Sequence, residues 1–269
     1  MRKPYPTDLT DDQWPLVAPH LPPARGRRRV DIREVVNAIL YVTRTGCQWR
    51  MMPHEFPDWK TVHEYHTRWA FDGTWVRITD ALRRRVRAEQ HPAAGENPAT
   101  ARVDSQSVKA AGQGSDVGTD GGKKVRGRKR HIGVDSLGLL LAVAVTAANV
   151  DDARAAPAVL ARLPPSVRHV YADSKYHNYR LYGYVGGRKA GYELRIVSRR
   201  PGVTGWVTLP RRWVVERTFA WLGRCRRHSR DYEKRTDMSE AFVRAACIHH
   251  MLNRLRPRPT GSPFKYRAT

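Results

Sequence analysis

The sequence predicts an α/β protein: a mixed sheet flanked by helices and preceded by an all-helical domain. Three observations point there. Up to residue 89, apolar residues recur every three or four positions, the helical period. From Thr100 onward the pattern changes to short β-prone runs. Those runs come in the order strand, hairpin, helix, strand, helix, strand, helix, so antiparallel neighbours precede crossover connections, as one mixed sheet requires. A chain of 269 residues has room for two domains. The expected boundaries are a helical domain over 1–89, a linker over 90–100 carrying Pro92, Gly95 and Pro98, a second domain over 101–256, and a basic tail over 257–269.

In the helical region, Thr10 and Gln13 have the spacing of a capping box, with Leu9 and Trp14 as the apolar staple beside it. Val30-Asp31-Ile32-Arg33-Glu34-Val35 repeats that pattern, and Gly46 marks the stop. Asp58 caps a helix carrying Trp59, Val62, Tyr65, His66 and Trp69. After Asp72-Gly73, a fourth helix buries Trp75, Ile78, Leu82 and Val86 and turns Arg83, Arg84, Arg85 and Arg87 outward. A helix-turn-helix reader of DNA and a bundle used for dimerisation both fit this arrangement. His63 and His66 share a face without a third metal ligand, which makes them surface or core histidines.

In the second region, Thr100 to Lys109 alternates, with Val103, Ser105 and Ser107 on one side and Asp104, Gln106 and Val108 on the other. Ala110 to Gly127 is rich in Gly, Ser, Asp and Lys and has no periodicity, so a mobile loop is expected. Arg128 to Val134 and Leu139 to Val145 form a hairpin through Asp135-Ser136-Leu137-Gly138, whose first Asp and last Gly suit a type I turn. Asp151-Asp152 caps an Ala-rich helix, Val167 to Asp173 is a strand ending in an aspartate, and Tyr192 to Val197 is the last strand. Met238 to Leu255 forms the final helix.

Between those last two elements, Leu209 to Arg227 has helical periodicity. Val214, Val215, Thr218, Phe219, Trp221, Leu222 and Cys225 make one broad apolar face, and Arg212, Glu216, Ala220, Gly223 and Arg227 share what remains. One carboxylate thus sits between guanidinium groups with only small residues above it. A glycine inside a helix costs about 1 kcal/mol relative to alanine, so Gly223 argues for space kept for a large, anionic, metal-bound ligand.

Lys+Arg 49 against Asp+Glu 25 gives a net charge of +24, with pI ≈ 10.8. Such an excess fits a polyanion partner, bound through release of counterions from a phosphate backbone. A membrane surface is the competing polyanion, but there is no amphipathic basic helix with a lipid-ready face. The longest apolar run, Leu137 to Ala148, is too short to span a bilayer, and no signal peptide is expected after Met1-Arg2-Lys3-Pro4. Cys47, Cys225 and Cys247 are widely spaced without a CxxC, which fits buried thiols in a reducing cytoplasm rather than a zinc site.

Two aspartates have unusual positions. Asp104 lies mid-strand, and Asp173 ends a strand, where sites of α/β sheets gather. With Glu216 on the later helix, three carboxylates can meet at one edge of the sheet. Like charges packed together need a cation between them, and oxygen-only ligands favour Mg²⁺ or Mn²⁺. Two such ions about 3.5–4 Å apart clamp the attacking and leaving oxygens of a phosphoryl transfer. Asp135, Asp151, Asp152, Glu193 and Asp231 are rival carboxylates, of which turn and cap chemistry explains the first three.

Ala101-Arg102-Val103-Asp104-Ser105-Gln106-Ser107-Val108-Lys109, Gly127-Arg128-Lys129-Arg130-His131, Tyr171-Ala172-Asp173-Ser174 and Arg211-Arg212-Trp213-Val214-Val215-Glu216-Arg217-Thr218-Phe219-Ala220-Trp221-Leu222 resemble the motifs of the DDE transposases of bacterial insertion sequences. The branch most similar is insertion-sequence family five, and the resemblance covers nearly the whole chain. It implies an RNase H-like second domain with Asp104, Asp173 and Glu216 as a catalytic, metal-binding triad for two Mg²⁺, Mn²⁺ being a substitute. It also implies a substrate of double-stranded DNA with terminal inverted repeats, a target DNA, and a homodimer that pairs two ends in the bacterial cytoplasm, at the nucleoid. Arg212 and Glu216 meet the family's Arg-x3-Glu pattern. The basic residue expected seven positions after the Glu is Gly223, with Arg224 beside it, and the aromatic expected three before Arg212 is Leu209. Related branches insert a β-rich subdomain before the Glu helix; the connection here is too short for one, and Trp206 is its aromatic placed to stack on an unpaired base.

The expected DNA contacts are Lys109, Arg126, Arg128, Lys129, Arg130, His131, Lys175, Arg211, Arg212, Arg217, Arg224 and Arg227. The expected activity is cleavage at the element's ends, followed by joining of the 3′-OH ends to target DNA. Two other readings stay open: an RNase H-like nuclease that only hydrolyses, and a non-catalytic DNA-binding protein derived from a transposase. Tyr171 and Tyr176 lack the Arg/His set of a tyrosine recombinase.

Overall fold

The computed structural model describes residues 2–23, 30–112, 114–187, 191–197 and 213–258. Trp206, Leu209, Arg211, Arg212 and most of the expected tail lie outside the described residues.

The capping box at the start is real in both directions: Gln13 N donates to Thr10 Oγ1 at 3.2 Å, and Thr10 N to Gln13 Oε1 at 3.3 Å. A single turn, α1 (Trp14–Val17), follows. Helix α2 (Ile32–Thr45) starts on Asp31, which accepts from Arg33 N, and stops on Gly46 at φ 71. The reciprocal half of its expected box is missing, because Glu34 turns to Arg2 and Asn37. Asp58 caps α3 (Trp59–Phe71), and α4 (Thr74–Gln90) follows the Asp72-Gly73 turn.

These helices do not close a core by themselves. Ile39, Leu40, Trp69, Trp75 and Ile78 pack with Phe242, Ala245, Ile248 and Leu252 of the C-terminal helix α8 (Thr236–Leu255). Val243, Ala246 and Cys247, on the other side of α8, belong to the core of the sheet. One helix is therefore a wall of both regions. Arg83 and Arg87 correct the expectation of an outward basic face, since both are buried. Arg87 donates to Asp135 at 2.7 Å and to Gly95 O at 2.7 Å, which ties α4 to the sheet's hairpin turn.

The sheet contains β1 (Thr100–Lys109), β2 (Gly118–Asp120), β3 (Val125–Val134), β4 (Leu140–Ala147), β5 (His169–Ala172) and β6 (Glu193–Ile196). Its order is β2-β3-β1-β5-β6, with β4 also paired to β3. The β3 pairings are antiparallel, whereas β1–β5 and β5–β6 are parallel. This is the RNase H-like arrangement implied by the resemblance. The hairpin turns where the sequence predicts: Asp135 Oδ1 accepts from Leu137 N and Leu139 N, and Gly138 N donates to Asp135 O. The expected mobile loop over 110–127 is corrected, because it holds β2 and the first turns of the β3 ladder. Its strand is short and locally paired, so it leaves no apolar alternation to read. Gly127 is required there, since a Cβ would overlap the Val108 carbonyl oxygen.

Helices α5 (Asp152–Leu160) and α6 (Tyr179–Gly187) cover one face of the sheet around Val103, Ala142, Val159 and Val170. Helix α7 (Trp213–Gly223) and α8 cover the other, around Ile132, Val143, Val214 and Val215. No helix among the described residues is long and apolar enough to cross a membrane.

His66 gives the fold a pH dependence. Its ring lies 4.4 Å from that of Phe242 and 5.6 Å from that of Trp75, and neither nitrogen has a hydrogen-bond partner among the described residues. Burial first, then His63 and Arg227, lowers its pKa to about 3. The unfolded chain takes up that proton near pH 6.5 and the folded chain does not, so stability is lost as pH falls below about 6.5. From this group alone, urea unfolding at pH 5 should show about 2 kcal/mol less stability than at pH 7. His66→Phe should remove that share, and an unaltered pH profile in the variant would contradict the assignment.

Candidate active site

The register of β1 and β5 decides where the two aspartates fall. Thr100 pairs with His169, Ala101 with Val170 and Arg102 with Tyr171. Two places further, the same register sets residue 104 beside residue 173, at the spacing of neighbouring strands, about 4.8 Å. Strand β5 ends at Ala172, but Asp173 stays extended (φ −84, ψ 178) before its carboxylate caps the turn Ser174–Tyr176 by accepting from Lys175 N at 2.9 Å. Asp104 Oδ1 accepts from Ser105 N at 2.7 Å.

Alternation then fixes the face. Ala101, Val103, Val170 and Ala172 are in the core under α5 and α6. Asp104 is paired across β3 with Ile132, which is in the core under α7 and α8. Both aspartates therefore belong to the α7 side of the sheet, and both are half-buried. Behind Asp104, the Ser105 hydroxyl donates to buried Asp152 at 2.7 Å, with Lys129 Nζ 3.2 Å from the same carboxylate.

Helix α7 lies over β1 and β3. Val214, Val215, Phe219 and Leu222 hold it down, while Glu216, Ala220 and Gly223 face outward as the periodicity predicts. Thr218 Oγ1 donates to Gly138 O at 2.8 Å, and Arg217 donates to Leu137 O at 3.0 Å. The Arg217 guanidinium lies between Trp213 and Trp221, at 4.4 and 4.8 Å from their ring centres. Desolvation there lowers its pKa, against the opposing pull of Asp135. Gly223 is the last residue of α7, so it ends the helix rather than interrupting it, and its helical cost is no sign of a cleared space.

Continued past its last pair, Arg102 with Tyr171, the β1–β5 register directs residues 104 and 173 to one face, and Glu216 is on the helix over that face. Among the described residues, no three His, Cys, Asp or Glu side chains are gathered into a group that could hold a metal ion. The two aspartates supply hard oxygen donors, which suit Mg²⁺ or Mn²⁺ in chemistry; Glu216 does not complete their set in this conformation.

The basic residues singled out from the sequence separate into two populations. Arg128 is buried and donates to Asp231, Ser115 O, Glu233 O, Lys234 O and Ser239. Lys129 donates to Val150 O, Arg130 to His228 O and Arg230 O, and His131 is bonded to Thr146. Arg227 is buried on Glu233 and Cys47 O, above the Phe242 ring. These five are corrected from expected DNA contacts to groups already engaged inside the fold. Lys109, Arg126, Lys175 and Arg224 are exposed. Lys124 and Arg230, also exposed, were not singled out by sequence, although the Gly121-Gly122-Lys123-Lys124 run was a signal for a cationic hairpin tip.

A sheet of RNase H-like order with two aspartates directed to one face defines a class of nucleic-acid-processing domain, and comparison with known proteins narrows it. Residues 99–251 match the family described as "Transposase DDE domain", and residues 9–79 match "Putative transposase of IS4/5 family". The chain belongs to the DDE-domain transposases of insertion sequences. It is 34% identical over 140 residues to "Putative transposase for insertion sequence element IS402" of Burkholderia cepacia, covering 48% of this chain and 65% of that one. It is also 31% identical over 123 residues to "Insertion element IS402 uncharacterized 16.2 kDa protein" of the same organism, covering 41% and 78%. A third relative, "Uncharacterized protein y4sN" of Sinorhizobium fredii, is 29% identical over 103 residues, covering 32% and 80%. The chain thus spans just under two thirds of the first of these relatives. No solved structure matches it significantly.

The division of the cations has a direct consequence for stability. Arg128→Gln leaves buried Asp231 without its ion-pair partner, which should cost about 3–5 kcal/mol in urea unfolding, whereas Arg126→Gln at the surface should change stability by less than about 0.5 kcal/mol. Equal effects of the two substitutions would contradict the division.

Proposed function

We propose that this protein is an active transposase that cuts DNA at the inverted-repeat ends of its element and joins the freed 3′-OH ends to target DNA. The observation that carries the reading is the parallel β1–β5 register, which directs residues 104 and 173 to the sheet face overlain by the helix of Glu216. Family membership supports the reading.

Asp104 and Asp173 would hold a divalent ion through their carboxylate oxygens, with Glu216 as the third carboxylate once DNA is bound. Mg²⁺ at such a set, with Mn²⁺ as a substitute, supplies charge stabilisation for the attacking and leaving oxygens of an in-line displacement. In the first reaction, water forms the new P–O bond, the 3′-oxygen leaves, and the released proton passes to it. In the second, that 3′-OH attacks a target phosphorus and displaces a 3′-oxygen of the target, so bonds made and broken balance and no oxidant is needed. Lys175, exposed two residues past Asp173, and Arg224, exposed just past α7, bind the phosphates that flank the reacting one. Arg217 keeps a positive field near Glu216 while one of its terminal nitrogens donates to Leu137 O in the hairpin turn. Two ends are handled by a homodimer, and the N-terminal region over 1–89 contributes DNA binding or dimerisation.

The test supplies element ends, uncut and pre-cut with a 3′-OH, to the purified chain in Mg²⁺. Cleaved and joined products should both form. Asp104→Asn, Asp173→Asn and Glu216→Gln should each lower both rates by at least about 10²-fold while duplex binding persists. Cleavage without joining of pre-cut ends would leave the nuclease reading instead. Binding without either activity would leave the non-catalytic one.

A further inference from the structure

Beyond the aspartate pair, β1 runs on to an open groove of about 830 Å³ at its C-terminal end. Lys109, Lys124, Arg126 and Arg230 line it, with Asp116 as the single carboxylate. We infer that this groove seats the phosphodiester backbone of the duplex arm next to the cut, several nucleotides from the reacting phosphate. The inference rests on the proposed function and names the DNA segment that this part of the surface holds.

The cations of the groove differ from those of the interior. The interior arginines are engaged: Arg87 with Asp135, Arg128 with Asp231 and Arg227 with Glu233. The side chains of Lys109, Lys124, Arg126 and Arg230 are all exposed and make no hydrogen bond or ion pair among the described residues. Four unpaired cations around one concavity, facing a lone Asp116, form a field that attracts a chain of anions rather than a single small one. Apart from those charges the lining is main chain and small residues, Ala110, Ala111, Gly112, Gly114 and Val117. Among the described lining residues the polar side chains are those four cations and Asp116, which suits the seat to the phosphate backbone.

The groove is also built, with both walls held by main-chain hydrogen bonds. Ala111 N donates to Asp231 O at 2.8 Å, Asp231 N to Lys109 O at 2.8 Å, and Ser115 N to Lys234 O at 3.1 Å. These bonds fix the wall between β1 and the approach to α8. The opposite wall is the β2–β3 hairpin, closed by Asp120 with Val125. Its last loop residue, Lys124, is held at φ 53, and Asp116 at φ 57. Among the described residues these two are the non-glycine residues at positive φ, and both line the groove. A left-handed position normally goes to glycine, and Gly121 and Gly122 are in the same loop. Keeping a lysine there instead aims an ammonium group into the groove at a conformational cost.

Distance sets which phosphates are held. Lys109 is five residues beyond Asp104 along one strand, about 17 Å at 3.3–3.4 Å per residue. One strand of a duplex advances about 3.4 Å per phosphate, so the seat lies about five nucleotides from the cut.

The test measures binding of the full chain to an end-containing duplex by fluorescence anisotropy between about 50 and 200 mM salt. The triple variant Lys124→Gln/Arg126→Gln/Arg230→Gln should lower the slope of log K against log salt by about 2 to 3, at about 0.9 for each phosphate no longer neutralised. Arg154→Gln/Arg168→Gln/Arg180→Gln, which removes as many exposed cations from another part of the surface, should leave the slope unchanged. Lys124→Asn keeps a residue that tolerates the left-handed turn and should lower the slope by about 1. A steep wild-type slope that the groove variants do not alter overturns the groove and leaves the DNA reading standing, as does an equal loss in the control triple. A wild-type chain with no salt-dependent duplex binding overturns the reading itself.

Discussion

The parallel pairing of β1 with β5 is the constraint on which the site depends. It alone brings residue 104 next to residue 173, two positions separated by a hairpin, a helix and their connections. Side chains alternate along a strand, so a slip of one residue would turn Asp173 to the opposite face from Asp104. The register is held by Arg168 N and His169 N donating to Ala99 O, and by Val170 and Ala172 seated in the core under α5. Two carboxylates this close repel each other. The surrounding basic chain and their half-exposed setting make the repulsion tolerable, and a shared cation would convert it into attraction.

The charge of the chain has two destinations. Part of it is internal wiring: Arg87 pins α4 to the hairpin turn, Arg128 pins β3 to the approach to α8, and Arg227 pins Glu233 beside Phe242. Such buried pairs gain little over apolar packing, but losing one partner strands the other charge, so each fixes a particular docking of segments distant in sequence. Other cations are exposed, among them Lys109, Lys124, Arg126 and Arg230 at the carboxyl end of β1 and Lys175 just past Asp173. Each buried pair is neutral, so the net charge of +24 comes from the cations that are left without a carboxylate partner.

Much of this was legible in the sequence because its causes are local. The capping box at Thr10 and Gln13, the stop at Gly46, the Asp135–Gly138 turn and the alternation that separates Asp104 from Val103 each depend on a few neighbouring residues. The motif resemblance supplied the RNase H-like class of the sheet. Burial of Arg128 was not legible, because its partner Asp231 is 103 residues away. Arg87 was hidden for the same reason, with Asp135 48 residues away. Strand β2 escaped because its composition is that of a loop and only pairing with β3 makes it a strand. The double role of α8 was equally invisible, since periodicity shows that a helix has apolar faces but not which two cores they enter. For the candidate site, the sequence indicated three carboxylates; the strand register directs two of them to one face, and Glu216 is on the helix over it.

The proposed chemistry turns on whether Glu216 joins Asp104 and Asp173 around metal once DNA is present. Iron(II) in place of Mg²⁺, with ascorbate and peroxide, cuts a polypeptide next to the residues that hold it. In the complex with an element end, the cuts should fall near residues 104, 173 and 216 and be suppressed by excess Mg²⁺. Cuts that spare residue 216 with DNA bound, or that fall away from all three, would contradict that shared site.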